Sequence, residues 1–182
     1  MPGVRKLLDW AITIAVAIAF VLVFEAEIAK PFRIPSSSME PTLHCAKPGP
    51  WCEAHFNDRV IANRLAYRFG NPKRGQIVVF RAPKDACGIG GTFVKRLIGL
   101  PGDTVSESDG VVSVNGKRLN EPYVAKQFRD NISGSWHVPK GQYFFMGDDR
   151  AHSCDSRTWG TVPRSSLIGP VLVTYWPPTS WF

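Results

Sequence analysis

Thr92-Phe93-Val94-Lys95-Arg96-Leu97-Ile98-Gly99 reads as an extended segment, with Phe93, Lys95 and Leu97 on one side and Val94, Arg96 and Ile98 on the other. Similar runs rich in Val, Ile, Phe and Tyr lie at 59–65, 76–81, 142–146 and 167–176, each bounded by Gly, Pro, Asn or Asp. Between them, Val111-Val112-Ser113-Val114-Asn115-Gly116-Lys117 places an Asn-Gly pair after a short alternating run, which is the sequence of a tight hairpin. No long helical period occurs beyond residue 30. These segments predict a mainly β chain, an antiparallel sheet forming a sandwich or barrel-like domain with few helices.

Ahead of the strands, Trp10 to Phe24 is apolar apart from Thr13, and with Leu7 and Leu8 it approaches the ~20 residues that cross a bilayer. One N-terminal transmembrane helix within residues 1–30 is therefore expected, followed by a domain over 31–182. The alternative is a cleavable secretory leader, for which Ala26-Glu27-Ile28-Ala29 would be a poor cleavage site. Arg5 and Lys6 precede the apolar run and Glu25 and Glu27 follow it, so the charge bias orients the N-terminus to the cytoplasm and the domain outside. Pro31 and Pro35 bar further regular helix, and 34–41 reads as extended chain and turn.

The 182 residues, 44% of them hydrophobic, suffice for one core-forming domain plus the short segment. Twenty-two Lys+Arg against 15 Asp+Glu give a net charge of +7. The basic residues are scattered, without the basic helix or interleaved aromatics of a nucleic-acid platform, so no nucleic-acid partner is expected, whereas attraction to anionic lipid is. Tyr175, Trp176, Trp181 and Phe182 are open to two readings, core packing or an interfacial belt on lipid. The Gly-rich stretch 85–91 lacks the ending of a phosphate loop and reads as a flexible turn.

Four cysteines suit an oxidising compartment. Cys45 and Cys52 flank a Pro- and Gly-containing loop and are the expected disulfide. With His44 and His55 they also admit a zinc reading, although the spacing matches no strong ligand pattern. Cys87 and Cys154 are read as free. No metal and no cofactor is expected.

A serine hydroxyl attacks only when a base removes its proton. His44, His55, His137 and His152 lie in polar, turn-like surroundings without a triad context. A lysine can replace histidine if burial lowers its pKa from ~10.4. Lys95, flanked by apolar residues in a strand, is the candidate, although lysine stems in such places also snorkel outward.

Four ordered blocks resemble those of the bacterial type I signal peptidases over nearly the whole chain. They are Ile34-Pro35-Ser36-Ser37-Ser38-Met39-Glu40-Pro41-Thr42-Leu43, then 74–80, then 93–103, then 141–157 with Gly147-Asp148-Asp149-Arg150-Ala151-His152-Ser153-Cys154-Asp155-Ser156-Arg157. Two positions depart from the family pattern: Gln76, where Asp is more frequent, and Asp149, where Asn is usual. The resemblance implies a membrane-anchored serine endopeptidase with Ser38 as nucleophile and Lys95 as general base. It implies an oxyanion site from the Ser38 N–H and the Ser36 hydroxyl, with Ser153 orienting Lys95 and Asp155 and Arg157 as structural support.

By the same resemblance, Phe32, Ile34, Met39, Leu43, Phe93 and Val94 line shallow pockets for small side chains. That implies an Ala-x-Ala preference and secretory preproteins as partners, met at the plasma membrane. The second β-region of the family is expected in reduced form over 104–136. Of other relatives, the self-cleaving serine-lysine repressors carry a DNA-binding domain where this chain has an apolar segment, and a silent signal-peptide binder would not need Ser36, Ser38, Lys95 and Ser153 together.

Overall fold

The computed structural model describes residues 2–177 and 180–181. It begins with helix α1 (Pro2–Glu27), which leads directly into strand β1 (Ala29–Arg33). The side chains described in α1 are Lys6 and 9–22, and among the described residues no helix is long and apolar enough to cross a membrane. The flanking Arg5, Glu25 and Glu27 lie outside the described side chains, as do Trp181 and Phe182 at the other end.

β1 was not among the predicted strands. It pairs antiparallel with β2 (Arg59–Asn63), Pro31 lying opposite Ile61. β1 ends the sheet order, so the missing N–H of Pro31 interrupts no second ladder. β2 stops short of the predicted Leu65 because the Asn63 side chain accepts the N–H groups of Leu65 and Ala66, turning the chain into the one-turn helix α2 (Ala66–Phe69). Next come β3 (Ile77–Arg81) and β4 (Thr92–Gly99), paired so that Val78 faces Lys95 across the ladder.

β5 (Thr104–Ser108), β6 (Val111–Val114), β7 (Lys117–Arg118) and β8 (Gly134–His137) form a separate four-stranded antiparallel sheet, ordered β7-β6-β5-β8. The expected hairpin is present, with Asn115 and Gly116 at φ 51° and 76°, the left-handed values its two-residue turn demands. β9 (Gln142–Met146), the short helix α3 (Ser156–Trp159), β10 (Val162–Pro163), β11 (Leu167–Trp176) and β12 (Ser180–Trp181) complete the chain. The main sheet is antiparallel in the order β1-β2-β11-β3-β4-β9-β10, with β12 on β11. The fold is thus mainly β and antiparallel. The main sheet ends at β1 and β10, so among the described residues it is not a closed barrel.

Period-two alternation distributes the strands between three cores. Ile77 and Val79 of β3 join Ile34, Met39, Leu43 and Val171 on one face, while Val78 and Phe80 join Leu97 and Phe145 on the other. β9 does the same, sending Tyr143 and Phe145 to the second core and Phe144 and Met146 to a third, where they meet Val105, Val112 and Val114 of the small sheet. Strands with both faces buried read as unbroken apolar runs, as 77–80 and 143–146 do. Of the C-terminal aromatics, Tyr175 and Trp176 are exposed, so neither is core.

Cys45 and Cys52 are bonded, which withdraws both sulfurs from the zinc reading. Cys87 and Cys154 are also bonded, contrary to the expectation that they are free. Their sequence separation of 67 is spanned because β4 lies antiparallel beside β9, bringing the loop before β4 and the segment after β9 to the same end of the strands.

Candidate active site

The segment 34–43 passes under the main sheet, anchored by buried Ile34, Met39 and Leu43. Within the stretch read as extended chain and turn, Ser37–Met39 forms a single 3₁₀ turn, closed by the Glu40 N–H donating to Ser37 O at 2.8 Å. This turn lifts Ser38 toward a cavity of about 430 Å³. The Ser36 and Ser38 hydroxyl oxygens lie 3.3 Å apart. At the start of such a turn the first N–H groups have no partner within it, and the Ser38 N–H is one of these.

Lys95 reaches the same cavity from β4. It is almost fully buried, at 3% exposure, so its stem does not snorkel to solvent. Burial pushes its pKa down to about 8; nearby Asp155 acts in the opposite direction and Arg157 reinforces the fall. Nζ donates to Ser153 Oγ at 2.9 Å, and Ser153 Oγ donates to Asp155 Oδ2 at 2.7 Å.

Asp155 is the hub of the last segment. Its Oδ2 also accepts the Gly147 N–H and Arg157 Nη2, and its Oδ1 accepts Arg157 Nε at 2.9 Å. Burial alone would raise the Asp155 carboxyl, but the hydrogen bonds and charge of Arg157 outweigh it and hold the pKa below the usual range. Arg157 is itself clamped by Asp130, Glu107 and the Arg150 carbonyl. The neighbouring Arg96, on the opposite face of β4 from Lys95, is bound at both ends of the buried Asp148 carboxylate, at 2.8 and 2.5 Å.

Phe32, Ile34, Met39, Phe93 and Val94 line the cavity. Leu43 does not. It is completely buried in the core beneath, because the chain turns inward after Met39. Sequence reasoning overlooked Cys87, Ile89 and Gly90 on the cavity wall, from the stretch read as a flexible turn, and His152 and Cys154 from the last block. The departure at Asp149 was the available signal for His152, since a carboxylate can hold an imidazole where an amide is usual.

Residues 7–176 match the family described as signal peptidase, peptidase S26. The Probable signal peptidase I-2 of Synechocystis sp. is 42% identical over 179 residues, covering 97% of this chain and 76% of that protein. The signal peptidase I of Leptolyngbya laminosa is 37% identical, covering 91% and 77%. The signal peptidase IB of Staphylococcus aureus is 34% identical, covering 95% and 91%. A mainly β serine peptidase is the class these matches define. The chain belongs to the signal peptidase family, peptidase S26, as a type I signal peptidase of the bacterial kind.

Proposed function

We propose that this signal peptidase removes N-terminal signal peptides from secretory preproteins by a Ser38–Lys95 dyad. The observation that carries the reading is Lys95, a buried amine with its pKa near 8, lining one cavity with Ser38. Lys95 Nζ takes the Ser38 Oγ proton as that oxygen attacks the scissile carbonyl. The tetrahedral oxyanion is held by the Ser38 N–H and the Ser36 hydroxyl, each such donor contributing on the order of 3 kcal/mol. Collapse expels the leaving amine, to which Lys95 returns the proton, and leaves an acyl ester on Ser38. Lys95 then deprotonates the water that hydrolyses this ester.

Ser153 serves as the orienting group. Its single proton is engaged by Asp155, so it accepts from Nζ and the lone pair of the neutral amine is left for Ser38. Asp155 and Arg157 support and do not react. The apolar walls from Phe32, Ile34, Met39, Phe93 and Val94 favour small residues before the cut, as in Ala-x-Ala.

Membrane anchoring by α1 belongs to the same proposal. At ~1.5 Å per residue, its 26 residues extend about 39 Å. Trp10, Ile12, Ile14, Val16, Ile18, Phe20 and Leu22 are all more than half exposed, apolar surface that a lipid phase would cover. The N-terminus would be cytoplasmic and the domain extracytoplasmic, at the plasma membrane.

Cleavage of a preprotein with an Ala-x-Ala site by the detergent-solubilised protein tests the function, with Ser38→Ala and Lys95→Ala for comparison. Wild type is expected to cut after the second Ala and both variants to lose nearly all activity while folded. Binding without cutting by wild type would replace this reading with that of a silent signal-peptide binder. Release of the protein from membranes by alkaline washing would refute the anchor.

A further inference from the structure

His152 stands on the cavity wall with Ser38 and Lys95, and no step above uses it. Its ring is fixed from two directions. Nδ1 lies 3.0 Å from both carboxylate oxygens of buried Asp149, and the imidazole stacks on the Trp51 indole with centroids 3.9 Å apart and planes inclined by 19°. An ionised carboxylate only accepts, so Nδ1 carries its proton toward Asp149, and Nε2 is the atom left for another partner. Trp51 is mostly exposed, in the loop that the Cys45–Cys52 disulfide closes. A ring held this firmly at the rim of a cleft is preorganised for binding.

The side of Ser38 on which this wall lies follows from the proton transfers. The base that takes the serine proton must deliver it to the leaving nitrogen, so Nζ faces the leaving side. Nζ is bonded to Ser153, the residue adjacent to His152. The proposed function assigns the apolar wall of Phe32, Ile34 and Val94 in the same cavity to the acyl side.

We infer that His152, held by Asp149 and backed by Trp51, binds the first residues of the departing mature chain through Nε2. The inference rests on the Ser38–Lys95 reading and adds a subsite to it. His152 is a specificity-determining residue here, acting on the peptide beyond the scissile bond and on no reacting atom.

The test compares two substrates with the same Ala-x-Ala acyl portion, cleaved by the full-length, detergent-solubilised protein. One is a peptide that continues past the cut; the other is a simple alkyl ester ending at the second Ala. In His152→Ala the peptide-to-ester ratio of kcat/KM is expected to fall about tenfold, the loss of one good hydrogen bond. Trp51→Ala should lower the same ratio less. If both substrates slow together, His152 acts through the Asp149 N–H that reaches Ser38 O at 3.3 Å, and the inference fails. It fails equally if the ratio is unchanged. Wild-type inactivity on both substrates would overturn the Ser38–Lys95 reading, and this subsite with it.

Discussion

Lys95 donates to Ser153 and not the reverse, because the only Ser153 proton is given to Asp155. The amine can therefore act as a base only when it has lost its own third proton. Burial lowers its pKa to about 8, so below that pH the ammonium form predominates and, on the proposed reading, the fraction of amine able to act as base falls. The expected kcat/KM profile rises about tenfold per pH unit below 8 and levels above it. Steady-state cleavage from pH 6 to 10 checks this, and a flat profile would count against a lysine base. Ser153→Ala should depress the plateau while leaving the rise, since orientation and not the proton itself is lost.

The same burial opposes stability. The lysine pKa is lower in the folded chain than in the unfolded one, so the unfolded state binds more protons between pH 8 and about 10.4 and stability climbs across that window. Lys95→Met removes this penalty. At pH 7 it should abolish activity yet raise unfolding stability by on the order of 2 kcal/mol, with the gain shrinking above pH 8. Denaturant titrations of both proteins at pH 7 and pH 9.5 read it directly.

Asp148 and Arg96 form a buried two-pronged pair, and Thr42 Oγ1 donates to the same carboxylate at 2.6 Å. The Arg96 guanidinium also lies 3.7 Å over the Tyr123 ring. Asp148→Ala leaves that cation buried without its counter-ion, which costs about 3–5 kcal/mol. A fall of that size in urea unfolding is the expected outcome. A loss below about 1 kcal/mol, the range of a surface pair, would show that Arg96 escapes to solvent.

The strands were legible because 77–80 and 143–146 are unbroken apolar runs, and Asn115-Gly116 names its own turn. Lys95 could be singled out by its apolar neighbours, but its partner Ser153 is 58 residues away and was reached only through resemblance. Arg96 was placed on the opposite face with no partner, since Asp148 reaches it only once β9 lies beside β4. Pairings of this kind depend on strand order, which periodicity does not contain. The same limit hid the Cys87–Cys154 bond and kept His152 among the ordinary loop histidines.

The two disulfides should differ in weight. Cys45 and Cys52 are separated by 7 positions and Cys87 and Cys154 by 67. On chain-entropy grounds the short loop contributes about 2 kcal/mol and the long one about 4. Double alanine variants of each pair, unfolded in urea, should fall in that order. Mass mapping of unreduced protein should recover both bonds, and recovery of free Cys87 and Cys154 thiols would remove the second.

Gly147 lies against both Ser38 and Ser153. A methyl group there would lie 2.6 Å from Ser153 Cβ and press on both Ser153 Oγ and the Ser38 carbonyl. Its N–H also donates to Asp155 at 3.0 Å. In Gly147→Ala, therefore, the Ser38 backbone and the Ser153 side chain must move apart. Displacement on the order of 1 Å costs about 10²-fold in rate, whereas overpacking costs about 1–3 kcal/mol. Gly141→Ala is the control: φ is 72° and open space surrounds it, so it should strain the turn before β9 and leave cleavage intact. Activity lost in Gly147→Ala alone, with both variants folded, would locate the effect between Ser38 and Ser153. Equal activity in the two would mean that this contact plays no part in aligning them.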